Sequence, residues 1–128
     1  MIRGALYTLL TGTSAVSAIV GTRIYPVVLP QKPTLPAITM QRIPGSRVRS
    51  TRGPSGLAQS RYQVDCWAAT QTAAEELAGV VRAATDGYRG TVSEVRIGGI
   101  SVSGDRDFYE PDAKYNRVSF DLIIWHEE

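Results

Sequence analysis

The sequence predicts an α+β domain: a mainly antiparallel sheet of about five strands, packed by an N-terminal helix pair and one central helix. Three observations carry this. Residues 2–20 and 70–85 place apolar side chains at helical spacing, whereas residues 61–68 and 115–126 alternate with period two. The order is helix pair, three strands, helix, two strands, not the regular strand–helix alternation of a parallel sheet. The chain has 128 residues, the size of one domain, and can bury roughly two thirds of its unfolded surface without metals or disulfides.

In residues 2–20, Ile2, Leu6, Leu9 and Leu10 form one helical stripe, interrupted by Gly12-Thr13-Ser14, after which Ala15, Val16, Ala18, Ile19 and Val20 resume. Thr13 or Ser14 can cap the second piece and Gly21 can end it. Arg23–Leu29 is rich in β-formers, and Pro26 removes a ladder donor, which places this strand at an edge or makes it a strand entrance. Residues 30–36 hold three prolines and form a stiff connector; Ala37–Ile43 is a half-buried strand. Residues 44–60 read as a long flexible loop with three glycines, two prolines, four serines and three arginines, a length that within a compact domain points to function or disorder.

The clearest strand, Arg61–Ala68, sets Tyr62, Val64, Cys66 and Ala68 on one face against Arg61, Gln63, Asp65 and Trp67 on the other. The clearest helix follows. Thr72 and Glu75 have capping-box spacing, Thr70 is the competing cap, and Glu75 and Glu76 fall in the first turn, where carboxylates favour the helix dipole. Ala74, Leu77, Val81 and Ala84 make its apolar stripe, and Gly87 stops it. Two long β segments, Val92–Ser103 and Tyr115–His126, are joined by Gly104–Lys114; Gly98-Gly99 marks a bulge or a close backbone approach in the first. In the last strand Val118, Phe120, Leu122 and Ile124 face one way, with Ser119, Asp121, Ile123 and Trp125 opposite.

The chemistry-bearing residues point away from catalysis. His126 is the only histidine and reads as a solvated side chain near the chain end; Cys66 is the only cysteine and, in phase with Tyr62 and Val64, reads as a buried inert thiol. A single cysteine excludes an intrachain disulfide and two-cysteine metal sites, and fits a reducing compartment. Asp105, Asp107, Glu110 and Asp112 lack the glycine and terminal glutamate of a calcium loop and read as an acidic hairpin tip. No phosphate-cradling glycine motif occurs. The reading calls for no cofactor, no metal and no membrane; no secretory signal or apolar span is present.

Two features ask for a partner instead. Residues 1–64 carry eight basic and no acidic residues, while residues 65–128 carry six basic and all twelve acidic ones. Such asymmetry suits head-to-tail association, where a positive surface on one copy meets a negative one on the next, and also a nucleic-acid partner. Arg42, Arg47, Arg49, Arg52 and Arg61 form an acid-free run of arginines, the side chain fitted to bidentate carboxylate or phosphate contacts. Trp67 and Trp125 fall in phase on the polar faces of their strands, which implies that this second face is covered by a helix of the chain or by another subunit.

Four stretches in order resemble the tail-completion (tail-terminator) proteins of long-tailed, siphovirus-type bacteriophages: ALYTLLTGTSAVSAIVGTRIYP, LPAITMQRIPG, RYQVDCWAATQTAAEELAGVVRAATDG and VSFDLIIWHEE. The resemblance implies a non-catalytic virion protein that closes a ring of its own copies, a hexamer in this family. Such a ring caps the finished tail tube protein, meets the head–tail connector protein, and lets DNA pass through its lumen without sequence-specific binding. It places the chain at the neck of the virion, after assembly in the host cytoplasm. The charge asymmetry and the phase of the tryptophans, and not the resemblance, make the arginines, the acidic 105–112 segment and both tryptophans the expected interface or lumen residues. The alternatives are a basic nucleic-acid-binding module and a small α+β enzyme; the second lacks a second base or a metal set.

Overall fold

The computed structural model describes residues 2–43, 48–49, 58–111 and 114–127, with Val48 and Arg49 described at the backbone only. The α+β class holds. Helices α1 (Ile2–Thr11) and α2 (Ser14–Val20) open the chain, and α3 (Gln71–Thr85) follows the fourth strand. The strands are β1 (Ile24–Pro26), β2 (Ala37–Arg42), β3 (Val48–Arg49), β4 (Ala58–Ala68), β5 (Gly90–Val92), β6 (Val95–Glu110) and β7 (Tyr115–His126). They form one sheet in the order β1-β2-β4-β7-β6-β5, with β3 pairing β4. The path thus has six strands, not five, and only the β1–β2 pair is parallel.

The helix pair is broken where Gly12 stands. A Cβ there would come within 3.0 Å of the Thr8 carbonyl, and the Thr13 hydroxyl donates back to Leu9 O at 2.8 Å instead of capping α2. Gly21, at φ 59°, ends α2 as expected. Arg23 then ties that helix end to the connector, donating to Ile19 O and to Pro36 O. Pro26 closes a strand at the sheet edge, where its missing N–H costs no ladder bond.

Three boundaries differ from expectation. Residues 58–60 belong to β4 and residues 48–49 to β3, so the segment 44–60 is not one continuous loop; residues 44–47 and 50–57 lie outside the described residues. Thr70, not Thr72, caps α3 by accepting from the Ala73 N–H, which moves Glu75 and Glu76 past the first turn. Most of Gly104–Lys114 is strand. Register shifts occur at Ile97/Gly99, as the Gly98-Gly99 pair predicts, and again at Ser103/Arg106, where Gly104 adopts φ +74°. A bulge and a turn use the same residue types, and this one bends β6 without ending it.

The core lies between the three helices and one face of the sheet. Tyr62, Val64, Cys66 and Ala68 of β4, Val118, Phe120, Leu122 and Ile124 of β7, and Ala74, Leu77, Ala78 and Val81 of α3 are all buried there, joined by Leu6, Leu10, Val16 and Val20. Alanines at 74 and 78 let α3 sit close on the sheet. β4 and β7 pair in unbroken antiparallel register from Ala58↔His126 to Ala68↔Asn116. At about 3.3 Å per residue, the ends of this pair stand roughly 35 Å apart. That separation gives the domain two distinct ends.

Candidate functional site

On the helix-free face of the sheet, short polar side chains are buried beneath long ones. Thr39, Asp65 and Ser119 are buried although no helix among the described residues covers them. The Trp67 indole N–H donates to Thr39 Oγ1 at 3.0 Å, and Thr39 donates to Asp65 Oδ2. Gln63 donates to both Asp65 oxygens. Arg117 crosses this cluster. Its Nη1 meets Asp65 Oδ1 at 3.3 Å, its Nη2 meets Glu110 Oε1 at 2.9 Å, and its guanidinium lies 5.1 Å from the Trp67 ring centroid and 4.2 Å from that of Phe108. Arg106 makes a parallel tie, to Ser119 and to Asp121. The face is therefore covered by its own arginines and aromatics, an answer the phase of the tryptophans could not supply.

Trp125 is the exception. It is 38% exposed, flanked in register by Gln59 and Gly99, with no long neighbour to lie over it on the β6 side. Trp67 instead is half-buried, with Tyr115 set edge-on at 6.5 Å. The two tryptophans share a face but not a role.

At the end of the sheet where β4 begins and β7 finishes, a cavity of about 660 Å³ opens between Ile2 of α1, Tyr62 of β4, the Ser93-Glu94 turn and Arg96. His126 forms its floor. It is buried, its Nε2 accepts from the Ser60 hydroxyl at 2.8 Å, and its Nδ1 donates to the Glu127 carbonyl at 3.0 Å, the tautomer this pair of partners selects. The expectation of a solvated histidine is thus corrected: position 126 continues the buried phase of Val118 to Ile124, and Ser60 continues that of Tyr62 to Ala68. Burial raises the Tyr62 phenol above its ordinary range, against Arg3 and Arg42, whose charges lower it.

The predicted arginines and acids fall on different strands. Arg42, exposed at the end of β2, lines the cavity, and Arg61 sits on the helix-free face; neither makes an ion pair among the described residues. Arg49 lies in β3 opposite Ala58, while Arg47, Arg52 and Asp112 lie outside the described residues. On β6, Asp105 pairs with Arg82 at 3.4 Å and Glu110 with Arg117, so Asp107 is the acid of β6 left without an ion pair among the described residues. Sequence reasoning did not single out Arg117 or Arg106: the phase of Arg117 with Asp121 is visible in the last strand, but Arg106 falls in the segment read as a connection, and the cross-strand contacts of both are not local.

Cys66 is fully buried, and burial pushes its thiol strongly up, reinforced by Asp65 and opposed by Arg82. The folded chain holds this thiol protonated, whereas the unfolded chain releases its proton near pH 8.5. Its folded pKa lies above the unfolded one, so its contribution to stability is complete below about pH 8.5 and is lost as pH rises further. Urea midpoints measured from pH 7 to 10 are expected to show a decline, approaching about 1.4 kcal/mol per pH unit, that Cys66→Ala lacks. Equal slopes for the two proteins would refute this.

The family model described as tail completion protein gp17 matches residues 4–127. No curated protein matches the chain. Among solved structures, a chain of the virion of a native gene transfer agent particle aligns with a TM-score of 0.76 at 19% identity, covering 99% of this chain and 95% of that one. A second solved chain, which carries no functional name, aligns with a TM-score of 0.57 at 15% identity, over 99% of this chain and 94% of that one. At these identities the two structures speak to the fold. No helix among the described residues is long and apolar enough to cross a membrane.

Proposed function

The chain belongs to the tail completion protein gp17 family, structural proteins of phage tails, and on that footing we propose that it closes a ring, probed first as a hexamer, that terminates the tail tube and joins the tail to the head connector. It acts without catalysis, at the top of the tail, after assembly in the host cytoplasm. DNA passes through the lumen without being read.

The observation that carries the ring is the polarity of the sheet. Among the described residues Arg42 of β2, in register with Tyr62, and Arg61 of β4 are cations without an ion pair, and Asp107 of β6, in register with Val118, is an acid without one. Charges of opposite sign on β2 and β6, on either side of the β4–β7 pair, favour head-to-tail contacts between copies over self-complementary pairing. Arg47, Arg49 and Arg52 follow Arg42 in the chain without an intervening acid.

Native mass measurement of the purified protein, alone and with tail tubes, tests the proposal. A closed oligomer alone, or one formed on tube ends, is the expected result; a strictly monomeric protein that ignores tubes would overturn it. Reversing Arg47, Arg49 and Arg52 together to glutamate is expected to weaken each contact about 10- to 100-fold. If that variant still forms full rings and joins heads at the normal yield, the arginine run has no part in assembly.

A further inference from the structure

We propose that the cavity floored by His126 is the seat for the β6–β7 hairpin of a second copy, with Tyr109 entering it and Asp107 meeting Arg42; this rests on the ring reading above. The cavity is built for a guest of its own kind. Its floor is polar but satisfied, since Ser60, His126 and the Glu127 carbonyl bond one another, so a guest need not supply partners there. Its walls include the apolar side chains of Ile2 and Val95 and the ring of Tyr62. Arg42 stands on the rim, exposed and without an ion pair among the described residues.

The hairpin presents the matching features. Tyr109 is 56% exposed, and Asp107 is exposed and, among the described residues, lacks the internal ion pair that Asp105 and Glu110 each have. Asp107 pairs in register with Val118 and Tyr109 with Asn116, so both project on the helix side of the sheet. Ser60, Tyr62 and His126 project on that same side at the opposite end. A phenol ring flanked by a carboxylate fits a cavity with apolar walls and a guanidinium rim. Within one copy Asp107 and Arg42 stand on β6 and β2, with β4 and β7 between them and four residues out of register, so the contact needs a second copy. Repeated head to tail, the contact is heterologous, and it closes a ring when the rotation per copy permits.

The test uses the full chain, with tail tubes present if rings form only on them. Ser93→Cys places a thiol at the cavity mouth and Lys114→Cys places one at the hairpin tip; the native Cys66 is buried and silent. A bismaleimide is expected to join copies only when the two single variants are mixed, because each contact then offers one thiol from each side. Independently, Arg42→Asp and Asp107→Arg are each expected to lower ring yield about tenfold or more, and the chain carrying both to regain it. Rings of normal mass with no mixed cross-link and no rescue would overturn the proposed seat while leaving the ring itself standing; that result also covers occupancy by another virion protein. A monomer under every condition overturns both.

Discussion

Replacing Phe120 by alanine is expected to lower the unfolding free energy by about 3–5 kcal/mol and the melting midpoint by roughly 10–20 °C. Phe120 is wholly buried at the middle of β7, opposite Val64 in β4, beneath α3. The Arg82 guanidinium of α3 lies 5.7 Å from its ring centroid. Alanine removes the largest fully buried side chain in the layer between α3 and the sheet. The paired strands β4 and β7 cannot move inward to fill the space without breaking their ladder. The cavity therefore persists, and its cost adds to the lost transfer energy. Phe120→Leu keeps most of the volume and is expected to cost only about 1–1.5 kcal/mol. Denaturant titration of the three proteins checks the order; a cost for Phe120→Ala below about 1 kcal/mol would mean that α3 does not pack on β7 in this way.

The layer around Phe120 was the most legible part of the chain. Period-two alternation in β7 and β4, and the stripe of α3, each follow from nearest neighbours in sequence, so the class, the core face and the helix were all readable. Legibility failed where local chemistry has two uses. Gly104-Asp105 has the composition of a turn and is a bulge, because the far half of β6 still finds register with β7 at Arg106↔Ser119. Thr70 and Thr72 are both able to cap, and the helix start follows Thr70, where the extended backbone of the strand ends. The place of His126 near the end points to solvent, whereas its phase with Ile124 points to the buried face, and phase outweighs position. The cavity it floors joins α1, β4, the β5–β6 turn and β7, which the sequence separates by up to about the whole chain, so no local pattern could assemble it. The division of charge was visible in composition, but which acids remain free was not, because the partners of Asp105 and Glu110 come from α3 and β7.

Arg117 depends most on such distant contacts, and Arg117→Ala is expected to cost about 2–4 kcal/mol. The Asp65 side chain is only 7% exposed, and its ion pair with Arg117 compensates its charge. Without the guanidinium it keeps the hydrogen bonds from Thr39 and Gln63 but no cation, so the substitution leaves a buried, unbalanced carboxylate. The planar group between the Trp67 and Phe108 rings is lost as well. Lysine cannot bridge Asp65 and Glu110 while lying flat between two rings, so Arg117→Lys is expected to recover less than half of the loss. A buried Nε without a partner among the described residues already weakens the native arrangement. Replacing both charged partners, Arg117→Met with Asp65→Leu, is therefore expected to restore most of the stability that Arg117→Ala loses. The double variant separates stability from shape. Arg117 links Glu110 and Phe108 of β6 to Asp65 and Trp67 of β4 across β7, which holds the far end of the hairpin in line with the sheet. Amide exchange at residues 106–110 is expected to rise in the double variant even with its melting point restored. Unchanged exchange there would show that backbone pairing with β7 alone aligns the hairpin.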